Sequence, residues 1–190
     1  FGKAMIVAGS VNYTGAAYLA AASATRAGAG LVSLALPSTI HSAVAAHLAE
    51  ATYVLLPHAM GVLSADASSV LREALEGYDV LLIGPGLGRE HETLLFLESV
   101  LGVGERRRSL GFLRSETGAA DRSELPPLIV DADGLNLLSE LEDWPKRLPA
   151  GAVLTPHPGE MARLMDSSVA EVQEDRVTVA RTQAVAWGQV

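Results

Sequence analysis

A histidine held between two prolines, with a carboxylate three residues further on, is the group in this chain best built to do chemistry. It sits in Gly151-Ala152-Val153-Leu154-Thr155-Pro156-His157-Pro158-Gly159-Glu160. Each proline fixes its own φ and turns the residue before it away from the α region, so Thr155 and His157 are expected to be extended. The imidazole is then pre-positioned. Glu160 opens Glu160-Met161-Ala162-Arg163-Leu164-Met165, which reads as a helix with a carboxylate in its first turn. Taken alone, the same residues are equally a proline-rich strand-to-helix turn with no chemistry.

Two further stretches carry comparable potential. Asp131-Ala132-Asp133-Gly134 follows the apolar Leu128-Ile129-Val130 and offers two carboxylates suited to sugar hydroxyls or magnesium-bound water. Asp133 is also a natural N-cap for a helix starting at Leu135. Gly84-Pro85-Gly86-Leu87-Gly88 lets a ligand approach backbone N–H groups that side chains would otherwise cover.

The elements around these residues follow from run length and punctuation. Apolar runs predict strands over Lys3–Ala8, Leu31–Leu36, Thr52–Leu56, Val80–Ile83, Leu128–Val130 and Ala152–Leu154. Helices are expected over Ala16–Ala27, from Ser38 as a cap through about Ala49, and over Ser64–Glu76, Glu90–Leu101, Leu135–Leu141 and Val169–Gly188. The long polar stretch Gly102–Pro127, with Arg106-Arg107-Arg108, fits neither pattern and is expected to be a mobile insertion. Strands alternating with helices imply an α/β fold with a mostly parallel sheet covered on both faces. Right-handed crossovers then bring every strand-to-helix loop to one rim, where open α/β sheets bind ligands. Gly9–Gly15, Gly84–Gly88, Asp131–Gly134 and Thr155–Glu160 all fall there.

Composition narrows the function. The 190 residues suit a single domain, and the net charge of −8 opposes a nucleic-acid surface. With no cysteine, disulfides, thiolate nucleophiles and zinc-thiolate sites are excluded. No apolar run reaches transmembrane length and no signal peptide is visible, so a cytoplasmic protein without a membrane partner is expected. The Asn12-Tyr13-Thr14 sequon is read as chance. The dinucleotide fingerprint fails at Arg89, the Walker pattern and nucleophile elbow are absent, and His91-Glu92 lacks the second histidine of a zinc protease helix.

Five motifs occur in order: Ser10-Val11-Asn12-Tyr13-Thr14-Gly15-Ala16, Arg26-Ala27-Gly28-Ala29-Gly30-Leu31, Gly84–Gly88, Asp131-Ala132-Asp133-Gly134-Leu135-Asn136 and Thr155–Glu160. Together they resemble the ADP- or ATP-dependent NAD(P)H-hydrate dehydratases. The resemblance covers the chain apart from Gly102–Pro127. It implies a ribokinase-like three-layer α/β/α sandwich that repairs hydrated NADH or NADPH. The ring hydroxyl is phosphorylated from ATP or ADP with Mg2+, and loss of phosphate restores the cofactor. It further implies substrate contacts at Ala16, Gly86 and His157. Tyr13 and Asn136 are expected beside the substrate, and Asp131, Asp133 and Glu160 near substrate, water, metal or nucleotide. The resembling family continues with a lysine-glycine turn and a Gly-Thr-Gly-Asp loop whose aspartate is the catalytic base. That base is expected beyond Val190, so the chain reads as an incomplete copy of the domain, and homo-oligomers are common in the family. A vitamin-alcohol kinase of the same superfamily and a non-catalytic binding module are the alternatives. Replacing His157 with alanine is expected to weaken binding and leave stability nearly unchanged.

Overall fold

The structure, a computed structural model, describes residues 1–102 and 125–190. Residues 103–124, which hold most of the expected insertion and its Arg106-Arg107-Arg108 run, lie outside the described residues.

Six strands form one sheet: β1 (Lys3–Val7), β2 (Leu31–Pro37), β3 (Thr52–Leu56), β6 (Val80–Ile83), β7 (Leu128–Val130) and β8 (Val153–Leu154). Their order is β3-β2-β1-β6-β7-β8, and every neighbouring pair is parallel. The chain runs outward from β1 in one direction and returns to its other side with β6. The point where the order reverses therefore lies between β1 and β6, where crevices of open α/β sheets form.

Both faces are covered, which explains the near-continuous apolar strands. Alternate residues of each strand feed two separate cores. On one face Met5, Val7, Leu81, Ile83, Leu128 and Val130 pack under α3 (Ala67–Ala74), α4 (His91–Val100) and α5 (Asp133–Leu138), through Leu71, Phe96, Leu97, Leu135 and Leu138. On the other, Ile6, Ala8, Leu34 and Leu36 meet α1 (Thr14–Arg26) and α2 (His41–Ala45) through Ala17, Ala21 and Val44. The alanines let α1 approach the sheet closely. A fully buried side chain such as Phe96 is worth on the order of 2–3 kcal/mol. The result is the expected three-layer α/β/α arrangement.

Four local expectations are corrected. Ser38 caps nothing; it opens a single 3₁₀ turn, Ser38–Ile40, and α2 that follows has only five residues. The helix placed from Ser64 begins at Ala67, because residues 58–63 form a small hairpin, β4 (His58–Ala59) and β5 (Val62–Leu63), turning at Met60-Gly61. The last helix is two, α7 (Val169–Glu174) and α8 (Arg176–Trp187). Asp175 separates them at φ −151° and ψ 82°, and its carboxylate accepts from the Thr178 N–H. The Thr178 hydroxyl, and after it this backbone N–H, hold the Asp175 carboxyl below its usual value. Asp133 does not cap α5, whose N-cap is Ala132. Among the described residues no helix is long and apolar enough to cross a membrane.

Candidate functional site

The loops beyond β1, β6, β7 and β8 share one rim because all four strands point the same way. Neighbouring strands lie about 4.8 Å apart, so the rim from β1 to β8 spans roughly 14 Å, within reach of one nucleotide.

The β1 and β6 loops are locked into each other. Gly9 donates its N–H to the Pro85 carbonyl at 2.8 Å, and the buried Ser10 Oγ donates to the Gly86 carbonyl at 2.9 Å. Gly86 is buried at φ +66°. A Cβ there would stand 2.6 Å from the Ala16 Cβ and 2.8 Å from the Tyr13 Cβ. The structure thus brings Gly86, Ala16 and Tyr13 into one cradle, with Tyr13 half exposed at its lip. Tyr13 also ends the loop as the residue before α1.

The β7 loop is threaded beneath. A Cβ on Gly84, at φ +133°, would overlap the Asp131 carbonyl oxygen at 1.8 Å, so the two backbones are in direct contact. Ala132 takes φ +50° and ψ −121°, a conformation that usually calls for glycine. This turn lets the Ala132 carbonyl accept from the N–H groups of Leu135 and Asn136. It also aims Asp133 back across the rim, where its Oδ2 accepts from the Gly88 N–H at 3.0 Å. A first-turn carboxylate on α5 therefore holds the glycine loop of a different strand. Asp131 accepts from the Thr155 hydroxyl at 2.8 Å, tying the β7 loop to the β8 turn.

At β8 the backbone behaves as expected, with His157 extended at φ −70° and ψ 165°. The helix that follows, α6 (Pro158–Leu164), begins two residues earlier than anticipated. His157 is its N-cap. Its Nδ1 accepts from the N–H groups of Gly159 at 3.0 Å and Glu160 at 3.3 Å. Glu160, read from the sequence as a rim polar group, is instead buried beneath the imidazole. Its Oε2 accepts from the His157 backbone N–H at 2.9 Å, and its Oε1 lies 3.2 Å from Nε2. The His157 side chain nevertheless remains 64% exposed. Asn136, buried on α5, accepts from Arg163 Nη1 at 3.0 Å, which joins α5 to α6.

Ser10 and Arg163 were not singled out from the sequence. Arg163 stands one helical turn beyond Gly159, whose carbonyl it also contacts, and only its pairing with Asn136 marks it. The largely apolar cavity nearest this rim, about 490 Å³, lies to one side. It opens between the β8 turn and α8, lined among others by Pro156, Met161, Val172, Ala180 and Trp187. The glycine cradle and the aspartates do not line it. Among the described residues no group of three or more histidines or acids is arranged to hold a metal ion by itself. Asp131 and Asp133 each use one carboxylate oxygen internally, which suits them to ordering metal-bound water more than to direct ligation.

Comparison with known proteins gives one consistent answer. The profile of the NAD(P)H-hydrate dehydratase family matches residues 4–110 and 113–190. A bifunctional NAD(P)H-hydrate repair enzyme Nnr of Moorella thermoacetica is 38% identical over all of this chain and 32% of its own length. An ADP-dependent (S)-NAD(P)H-hydrate dehydratase of Lactococcus lactis is 33% identical over 93% of this chain and 54% of its own. The chain thus spans about a third to a half of these relatives. Among solved structures, the ADP/ATP-dependent NAD(P)H-hydrate dehydratase of Bacillus subtilis, co-crystallised with ATP/Mg2+ and soaked with CoA, superposes with a TM-score of 0.67. It is 25% identical over all of this chain and 58% of its own. A ribokinase-like protein of Enterococcus faecalis, 22% identical, has a TM-score of 0.70 over 99% of this chain and 55% of its own, a likeness of fold.

Proposed function

We propose a function from the premise that this chain belongs to the NAD(P)H-hydrate dehydratase family: its rim binds hydrated NADH or NADPH for nucleotide-dependent dehydration. The cradle formed by Gly86, Ala16 and Tyr13 at the point where the strand order reverses carries this reading. Glycine at 86 lets Ala16 and Tyr13 close directly onto the β6 loop, and the interlocked loops keep the surface they form rigid at no further entropic cost on binding. His157 and Asn136 border the same substrate from the β8 and β7 sides.

ATP or ADP supplies the phosphoryl group, and Mg2+ neutralises charge on its oxygens. Asp131 and Asp133 are placed to order waters of that ion. Transfer turns the ring hydroxyl into a phosphate ester, a far better leaving group than hydroxide. Expulsion of phosphate, assisted by the ring nitrogen and completed by loss of a ring proton, restores the dihydronicotinamide. Glu160 is engaged by His157 and the two aspartates through one oxygen each by Thr155 and Gly88, which suits the three to holding the site together. The general base of this proposal is the aspartate of the Gly-Thr-Gly-Asp loop that the family resemblance implies. Work in the cytoplasm as a homo-oligomer belongs to the same proposal.

The test is an assay of the intact protein with hydrated NADPH, Mg2+ and either ATP or ADP, followed by the return of NADPH absorbance. Nucleotide-dependent recovery of NADPH is expected. Phosphorylation of an unrelated alcohol with no recovery would favour a small-molecule kinase, and binding of neither nucleotide would reduce the chain to a scaffold.

A further inference from the structure

We infer that the tip of the β4–β5 hairpin is the wall against which the adenine end of the dinucleotide lies, with Met60 as the contact residue. The inference rests on the dinucleotide reading above and extends it to the half of the substrate that does not react. The hairpin turns on two residues, Met60 at φ +50° and Gly61 at φ +89°. A two-residue turn with both central φ angles positive is type I′, and asparagine followed by glycine is the pair that adopts it most readily. Gly61 meets that rule and Met60 breaks it. A long side chain is held in the left-handed region, where its Cβ crowds the following carbonyl oxygen. That side chain is 97% exposed, so packing within the described residues does not offset the strain. Backbone strain that the fold leaves uncompensated gathers where a ligand is clamped.

The turn is anchored at both ends. Its root is buried, with Leu63 in the same core as Leu56 and Leu71. At the tip, the Gly61 carbonyl accepts from the Val11 N–H at 2.9 Å, and the Gly61 N–H donates to His58 Nδ1 at 3.3 Å. A Cβ on Gly61 would stand 2.6 Å from the Val11 Cβ, so the turn rests directly on the β1 loop. Val11 is 51% exposed and lies two residues before Tyr13, the lip of the cradle. Met60, Val11 and Tyr13 are thus three exposed apolar side chains in succession from hairpin to cradle. The reacting end of the substrate belongs on the other side. Asp131 and Asp133 follow β7, whereas the hairpin follows β3, across β1 from them. A dinucleotide seated in the cradle with its hydrated ring toward β7 sends its other half toward β3. There it meets a polarizable thioether, which takes the edge or face of an aromatic ring favourably.

The intact protein tests this with two probes, NADPH and reduced nicotinamide mononucleotide, which lacks the adenylate half. Met60→Asn installs the residue that suits a type I′ turn, so it should keep or raise the melting temperature. It should bind NADPH about three- to tenfold more weakly and the mononucleotide as the parent does. Unchanged NADPH affinity, equal losses for both probes, or a lower melting temperature overturns the proposal. Methyl-labelled methionine gives a second readout. The chain has four methionines, and the signal missing from Met60→Asn belongs to Met60. NADPH should move that signal by the ring current of its base, and the mononucleotide should leave it in place. A Met60 signal indifferent to NADPH, or one that responds only to protein concentration, means that solvent or a second copy of the chain covers the tip, and overturns the proposal. A protein that behaves as expected in both measurements but leaves hydrated NADPH unrepaired would sink the proposed reaction and leave the wall standing. Repair by Met60→Asn at the parent's rate at low substrate concentration would do the reverse.

Discussion

The two halves of the rim are held by different means. Around Gly84 and Gly86 the loops of β1, β6 and β7 are fixed by exclusion, because backbone and Cβ atoms stand where no further atom fits. At the β8 turn, His157, Glu160 and Ser168 act as caps and capping boxes on short helices, in partial solvent. Exclusion is all-or-none, whereas a cap is worth about 1 kcal/mol and can be exchanged for another. The first half therefore sets the shape of the site, and the second tunes what is presented to it.

Substitutions should follow that division, from large to small. Gly84→Ala combines φ +133° with a 1.8 Å overlap on the Asp131 carbonyl, so it should cost about 3 kcal/mol or more and separate the β6 and β7 loops. Thermal melting checks this; a near-normal transition would show that the rim loops yield. Gly86→Ala meets two side-chain carbons at 2.6 and 2.8 Å, so a loss of roughly 2 kcal/mol is expected together with loss of hydrated-nucleotide binding. Calorimetry that found stability reduced and binding intact would move the substrate away from the cradle. Asp133→Ala orphans the Gly88 N–H and should cost about 1–2 kcal/mol in urea unfolding. His157→Ala removes the α6 cap and should cost about 1 kcal/mol, which corrects the expectation of unchanged stability. No loss in denaturant midpoint would mean that solvent replaces the imidazole freely.

The smallest effect concerns the start of α8. Asp175 is held below its usual value by Thr178, and its unfolded value is near 3.9. A depressed folded value gives a contribution that is present above the unfolded value and lost as pH falls through the folded one. The first turn of α8 should then loosen in acid below about pH 4, seen as faster amide exchange at Thr178, with the rim unaffected. Simultaneous loosening of the Gly84–Gly88 loop would show that the two regions are coupled.

The sheet was legible because its strands are short apolar runs, most of them ended by glycine or proline and β7 by Asp131, and their alternation with helices dictates the rim. The five family motifs located Gly86, Ala16 and His157. What stayed hidden is non-local or atypical. Asp133 looked like a cap, and nothing near it in the chain announces Gly88 as its partner. Histidine is not among the usual N-cap residues, so its capping box with Glu160 went unread. The Met60-Gly61 hairpin escaped because methionine at φ +50° gives no turn signal. The break at Asp175 did leave traces in Ser168-x-x-Glu171 and Asp175-x-x-Thr178, but no glycine or proline made them conspicuous.

The register at the centre of the sheet also sets a clock. β1 pairs with β2 at a spacing of 28 residues, Lys3 with Leu31, but with β6 at 76, Ala4 with Val80. Ser10 reaches Gly86 across the same 76 residues. At synthesis rates of about 5–20 residues per second, β6 emerges roughly 4–15 s after the strand it must lie beside. Throughout that interval one edge of β1 has no partner and the loop that becomes the cradle has nothing to close against. The cradle therefore stays open until residue 88 has emerged, still ahead of the β7 and β8 turns, and a chain delayed between β2 and β6 exposes an unpaired apolar edge from the middle of its own sheet.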